Sequence, residues 1–193
     1  MTVTFPLTGE PLALDLLNTR TAEGDLVADP AGLAAWLAEP AQAGRLTPLG
    51  AVGAAEVAAV LAVREAARPA LAAARSGERP PAEALRVLNG ALSAAPSHRV
   101  LDWTREGGLT AAAHRPADPA RRLAAELAEA VAELLTGPKV GEVRECEAHD
   151  CVLLFLPAHP RRRWCVASVC GNRARVARYY ARHKGGLAPQ ETA

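Results

Sequence analysis

All four cysteines of this 193-residue chain fall within one short stretch, as Cys146-x4-Cys151-x13-Cys165-x4-Cys170. Two close pairs about a dozen residues apart is the spacing of a structural zinc site. Each pair forms a knuckle that offers two thiolates to one ion, and the residues between bring the second pair back to the first. Zinc suits four soft thiolates because its filled d shell accepts tetrahedral geometry without preference for another shape. Two disulfides are the first alternative. They require an oxidising compartment, and Met1 to Thr8 has neither the basic start nor the apolar core of an export signal. Inert buried thiols are the second, and matched x4 pairs in a chain with no other cysteine argue against them. His149 lies inside the first pair and His159 between the pairs. Four cysteines already close the shell, so both histidines are expected in solvent.

The segment after the last cysteine is basic. Arg175, Arg178 and Arg182 stand at i, i+3, i+7 on one face of an expected helix from about Arg173 to His183, and Arg161-Arg162-Arg163 precede Cys165. Residues 139–184 carry 10 basic and 4 acidic side chains, net +6, whereas residues 1–138 carry 12 basic and 16 acidic, net −4. An acidic body joined to a basic module implies different partners for the two parts. Arginine forks match phosphate, so Arg161, Arg162, Arg163, Arg173, Arg175, Arg178 and Arg182 are candidate nucleic-acid contacts. A solvated face, or one docked on the acidic body, is the competing reading. Trp164 adjoins a ligand and is expected in the core. Tyr179 and Tyr180 are positioned to stack on bases.

The rest of the chain reads as helical. Half its residues are apolar but only 4% are aromatic, so Ala, Leu and Val must build the core. No apolar run is long enough to span a bilayer. Val3 to Leu7 reads as a short extended lead-in or strand. Leu12 to Arg20 reads as a helix apolar on most sides, carrying Asp15 and Asn18 three residues apart. Asp29-Pro30 and Asp118-Pro119 are helix starts, each an N-cap followed by a first-turn proline. Pro40 and Gly44 end the first of these helices, in which Trp36 is a core anchor. A helix over about 54–74 is expected to kink or split at Pro69. Arg64 lies close to its apolar stripe and is a candidate partner for Asp15. Asp15, Asn18 and Arg64 are thus either a structural polar network or a ligand pocket. A further helix is expected from Ala82 to Leu92. His98 to Arg105 alternates, Gly107-Gly108 turns and Leu109 to His114 answers, which predicts a β-hairpin. In the cysteine module, Val152 to Leu156 is expected as a strand, Pro157 to Pro160 as its turn and Arg161 to Trp164 as the return, ahead of a helix at Cys170. Knuckle, hairpin and ligand-bearing helix form a treble-clef-like arrangement.

The motif Cys165-x4-Cys170-Gly171-Asn172-Arg173, preceded by Arg162-Arg163-Trp164, resembles the CGNR zinc-finger family of bacterial proteins. The stretch Leu14-Asp15-Leu16-Leu17-Asn18-Thr19 is similar to the start of the ABATE domain that commonly precedes that finger. Where the family often has an Asp and a Ser or Thr, this chain has Leu156-Pro157-Ala158. The resemblance implies a stress-induced transcription regulator with Cys146, Cys151, Cys165 and Cys170 as zinc ligands. Gly171 is expected to let backbone approach the thiolates, and Asn172 to cap the helix.

The expected fold is α+β, mainly α: a helical N-terminal domain with a small β-hairpin, residues 1–138, and a C-terminal treble-clef-like zinc finger, residues 139–186, with a tail at 187–193. The expected function is a cytoplasmic DNA-binding regulator with structural Zn2+, DNA as partner, a small-molecule effector or assembly role for the body, and a homodimer by analogy with other regulators. The competing reading is a zinc-stapled interaction or small-molecule-binding protein that does not bind DNA. No nucleophile–base pair, phosphate loop or open metal shell is present, so no enzymatic activity is expected.

Overall fold

A computed structural model of the chain describes residues 4–39 and 42–183. Val3, Pro40 and the 187–193 tail lie outside the described residues. In chain order the elements are α1 (Leu12–Leu17), α2 (Pro30–Leu37), α3 (Ala54–Arg75), α4 (Ala82–Ala94), β1 (His98–Trp103), β2 (Leu109–His114), α5 (Pro119–Thr136), β3 (Arg144–Glu145), β4 (Leu154–Phe155) and α6 (Asn172–His183). The architecture is α+β and mainly α, as the sequence implies. Thr4 to Glu10 forms no strand.

Helices α3, α4 and α5 pack on one another, and α1 is laid against α3 and α5. Six residues are too few to hold a helix alone. Burial holds α1: Leu14, Leu16 and Leu17 are sealed from solvent, contributing about 2 kcal/mol each. Trp36 anchors α2 in the same core. Both Asp-Pro starts form as expected. Asp29 Oδ1 accepts from Gly32 N at 2.8 Å, and Asp118 Oδ1 from Arg121 N at 3.0 Å. The split expected at Pro69 does not occur, and α3 runs unbroken through it. Pro69 and Glu65 both lie on the exposed side, so the carbonyl that loses its i→i+4 donor faces water.

The hairpin pairs His98 with His114 through Trp103 with Leu109, in antiparallel register. Gly107 sits at φ +85°, a conformation that residues with a Cβ rarely adopt. At the hairpin base Arg115 is buried, donating to the Ala95 carbonyl and to Glu129. Every residue of the two strands is exposed.

The C-terminal module is not strung out from the body. Leu154 joins the main helical core, while Leu7 packs on the smaller cluster formed by Phe155, Leu153 and the cysteines. Asn18 on the body accepts from Leu154 N at 2.8 Å and donates to Leu154 O at 2.9 Å. The expected strand partner is corrected: β4 pairs with β3, ahead of Cys146, and not with Arg161 to Trp164. The return segment has Pro160 without an amide donor, and is held instead by Arg144 Nη1 to Pro160 O at 2.8 Å and Glu147 N to Arg163 O at 3.1 Å.

Candidate metal centre

The β3–β4 hairpin places Cys146 and Cys151 in its connecting knuckle. Asp150, one residue before Cys151, adopts φ 61°, a left-handed turn that Asp tolerates better than most side chains. Cys165 follows the return segment. Cys170 sits in a wide turn, Ala167–Gly171, that leads into α6. The turn is closed by Cys170 N and Gly171 N, which both donate to Val166 O, at 2.9 and 3.4 Å.

The four sulfurs lie within 4.8 Å of one another. Cys165 to Cys170 is 3.5 Å, Cys151 to Cys165 is 3.8 Å and Cys170 to Cys151 is 3.9 Å. Zinc with sulfurs at ~2.3 Å in a tetrahedron has S–S edges of about 3.8 Å. The donor set therefore fits one tetrahedral zinc, and the separations are far too long for disulfide bonds. None of the four cysteines is in a disulfide. Cys165 N donates to Cys146 Sγ at 3.3 Å, the amide-to-sulfur bond that steadies a thiolate. Burial opposes ionisation of Cys146, but the amide donors of Cys165 and Ala148 outweigh it and hold its thiol below the usual range. Burial pushes the Cys151 thiol up to about 11, aided by the neighbouring Cys146, and pushes Cys165 further up. Four crowded sulfurs cannot all ionise unaided, and a dication is what reconciles them. Neither histidine belongs to the cluster. His149 pairs with Asp150 at 2.6 Å, and His159 Nδ1 accepts from Arg161 N at 3.1 Å.

Gly171 lacks a side chain for a reason other than the expected one. A Cβ there would lie 3.3 Å from the Trp164 ring, so the glycine makes room for Trp164. Asn172 donates to Ser168 O at 2.6 Å and accepts from Arg175, joining the turn to the first coil of α6 rather than capping its amides.

The arginines divide into two groups. Arg162 is turned inward, unlike the outward-facing cation that the arginine run suggests. It reaches Glu10 Oε1 at 2.9 Å and Cys165 O at 2.6 Å, and its guanidinium stacks 4.4 Å from the Phe155 ring centroid. A guanidinium is the one side chain that satisfies several carbonyls and a carboxylate at once, so it serves as the bolt between module and body. Arg163 pairs with Glu147 at 2.5 Å and lies over Trp164. Arg161, Arg173, Arg175, Arg178 and Arg182 are exposed and form no ion pair among the described residues. Helix α6 buries none of its residues and has no acidic side chain.

Asp15, Asn18 and Arg64 do not form one cluster. Asp15 takes Arg45 Nη1 at 2.7 Å, Gln42 Nε2 at 3.3 Å and the amides of Gly9 and Glu10 at 3.0 Å. Burial raises its pKa, against the pull of Arg45. Arg64, 1% exposed, forks onto Asp25 at 2.7 and 2.5 Å and reaches Thr19 Oγ1 at 3.0 Å. The expected Asp15–Arg64 pair is thus replaced by two pairs, Asp15–Arg45 and Asp25–Arg64. Glu10, Asp25 and Arg45 were not singled out in the sequence. Each sits in a loop with no periodicity to mark it.

Residues 10–138 match the family model described as "Putative stress-induced transcription regulator", named ABATE, and residues 142–183 match the CGNR zinc finger. No curated protein matches the chain. Since the first match alone spans well over half of its length, the chain belongs to the ABATE family, with a CGNR zinc finger at its C-terminal end.

Proposed function

We propose that the chain is a zinc-stabilised DNA-binding transcription regulator. In this reading Cys146, Cys151, Cys165 and Cys170 hold one structural zinc, and Arg161, Arg173, Arg175, Arg178 and Arg182 meet phosphates. The 1–138 body serves assembly or ligand sensing, and the 139–186 module faces the nucleic acid. The observation that carries it is α6 itself: a helix that buries none of its residues and holds no acid, whose arginines have no carboxylate partner among the described residues. Cations left uncompensated on a helix seated on a rigid metal knuckle suit an anionic polymer. Arg162 and Arg163 are left out, because Glu10 and Glu147 already neutralise them.

The test is fluorescence anisotropy of duplex DNA against zinc-loaded protein at several salt concentrations. Five phosphate contacts give a slope of log K against log salt of about −4.5, and Arg175→Gln/Arg178→Gln/Arg182→Gln reduces it by about 2.7. No binding at low salt, or an unchanged slope in the triple variant, overturns the reading.

One observation favours a second reading, a zinc-stapled interaction protein. The module is docked to the body through Arg162–Glu10 and Asn18–Leu154, so part of its basic charge is spent internally. Retention of a protein partner by a sample that shows no affinity for DNA supports that reading.

A further inference from the structure

The β1–β2 hairpin is an amphipathic ribbon without a cover. Its register puts Arg99, Leu101, Trp103, Leu109, Ala111 and Ala113 on one face. His98, Val100, Asp102, Thr110, Ala112 and His114 lie on the other, where Val100 is the one large apolar side chain. Leu101, Trp103 and Leu109 are 65%, 67% and 66% exposed, although period-two alternation normally buries one face of a ribbon. No other described element packs substantially on the hairpin. An isolated two-stranded ribbon is marginal in water, so the exposed face lacks a partner that the fold does not supply.

We propose that the partner is the same face of a second copy, packed face to face about a twofold axis with the ribbons antiparallel. Three features point to self-association. Bulk and charge are graded along the ribbon: Trp103 and Leu109 stand at the tip end, Arg99 and Ala113 at the base, so a reversed copy sets Leu109 against Ala113 and the Trp103 ring against the Arg99 guanidinium. Arg99, the face's one charge, stands at the base and meets the reversed tip, where Glu106 lies in the turn. The ribbon is presented ready-made, because buried Arg115 pins its base to Ala95 and Glu129. Six-residue strands give a face of roughly 20 by 10 Å, burying on the order of 400 Å² of accessible surface per copy. That is about half of a standard interface per partner, the size of a weak, reversible association.

Sedimentation velocity of full-length, zinc-loaded, nuclease-treated protein from about 1 to 200 µM tests the assignment, with circular dichroism to verify folding. The wild type shifts from monomer to dimer across this range. Trp103→Ala weakens the dimer at least tenfold, as loss of the face's one large aromatic anchor does. Thr110→Lys, on the opposite face and across from Asp102 where the new charge is favourable to the ribbon, leaves it within twofold. A wild type that stays monomeric throughout overturns the proposal. So does a dimer insensitive to Trp103→Ala, which places the contact elsewhere. Equal sensitivity to Thr110→Lys overturns it too, since the Trp103 face is then not the contact.

Discussion

Arg162→Ala is the substitution that best separates a basic surface from a structural bolt. If Arg162 were one more solvated cation, its loss would change stability by less than about 0.5 kcal/mol. The geometry predicts more. Its side chain is 28% exposed and its partner Glu10 9%, so neither end of the pair is screened as a surface pair would be. Removing one member of a buried pair costs about 3–5 kcal/mol, and the partial exposure of Arg162 places this one at the low end, about 3 kcal/mol. The Phe155 stacking adds about 0.5–1 kcal/mol. Against these stands the Leu156 amide, which still donates to Glu10 at 2.9 Å and softens the loss. The expected cost is about 3 kcal/mol, which moves a urea midpoint by about 1 M at a slope of about 3 kcal/mol/M. Arg161→Ala, one residue away and exposed, is the control and stays within about 0.5 kcal/mol. A cycle with Glu10→Gln returns a coupling of about 1–3 kcal/mol. Arg162→Lys keeps the charge but loses the fork, and recovers less than half. The reasoning fails if Arg162→Ala and Arg161→Ala cost the same, or if the cycle gives no coupling.

Elemental analysis of freshly purified, reduced protein should find one zinc per chain, and cobalt substitution should give the intense charge-transfer and d–d absorption of a tetrahedral thiolate site; Cys170→Ser that still binds cobalt with an unchanged spectrum counts against the four-sulfur assignment. Asp25, held below the usual carboxylate range by its hydrogen bonds from Arg64, stabilises the fold above its unfolded pKa of about 3.9 and loses that contribution as pH falls through its depressed folded value. Asp25→Asn should therefore cost about 3 kcal/mol at neutral pH and flatten the acid limb of stability, since it strands the buried Arg64 with only Thr19 and the exposed Glu65. An acid limb identical to wild type refutes the pairing.

What was legible in the sequence followed from local rules. The Asp-Pro starts, the Gly107 turn and the paired cysteines each draw their geometry from residues within a few positions of one another. The missed charge pairings were all non-local. Burial of Asp15 demanded a cation, and periodicity offered Arg64 because it sits on a regular helix. Arg45, the actual partner, lies in an irregular loop 30 residues from Asp15, where no pattern singles it out. Arg162 looked like part of a basic run because charge counting does not register direction. Its inward turn depends on Glu10, 152 residues away. The strand pairing of the finger failed for a related reason. Arg144 and Glu145 carry no apolar pattern, and only the position of Cys146 just after them marks them as the first strand of a knuckle.

Asn18 decides whether finger and body are one thermodynamic unit. Its amide matches both backbone groups of Leu154, as the next strand of a sheet would, and Leu154 is itself part of the helical core. Removing the amide strands a buried N–H and a buried C=O, at about 1–3 kcal/mol each, or about 4 kcal/mol together. If the finger reaches its metal-binding shape only when docked, that loss must also appear in zinc affinity, because coupling between two equilibria is reciprocal. Asn18→Leu then weakens zinc by up to about a thousandfold, at about 1.4 kcal/mol per decade, although Asn18 contributes no metal ligand. Chelator competition measures this directly, and thermal melting of the body with and without metal gives the same coupling from the other side. Body melting that ignores the metal, together with zinc affinity that ignores Asn18→Leu, would mean that the knuckle folds alone and the buried contacts merely park it against the helices.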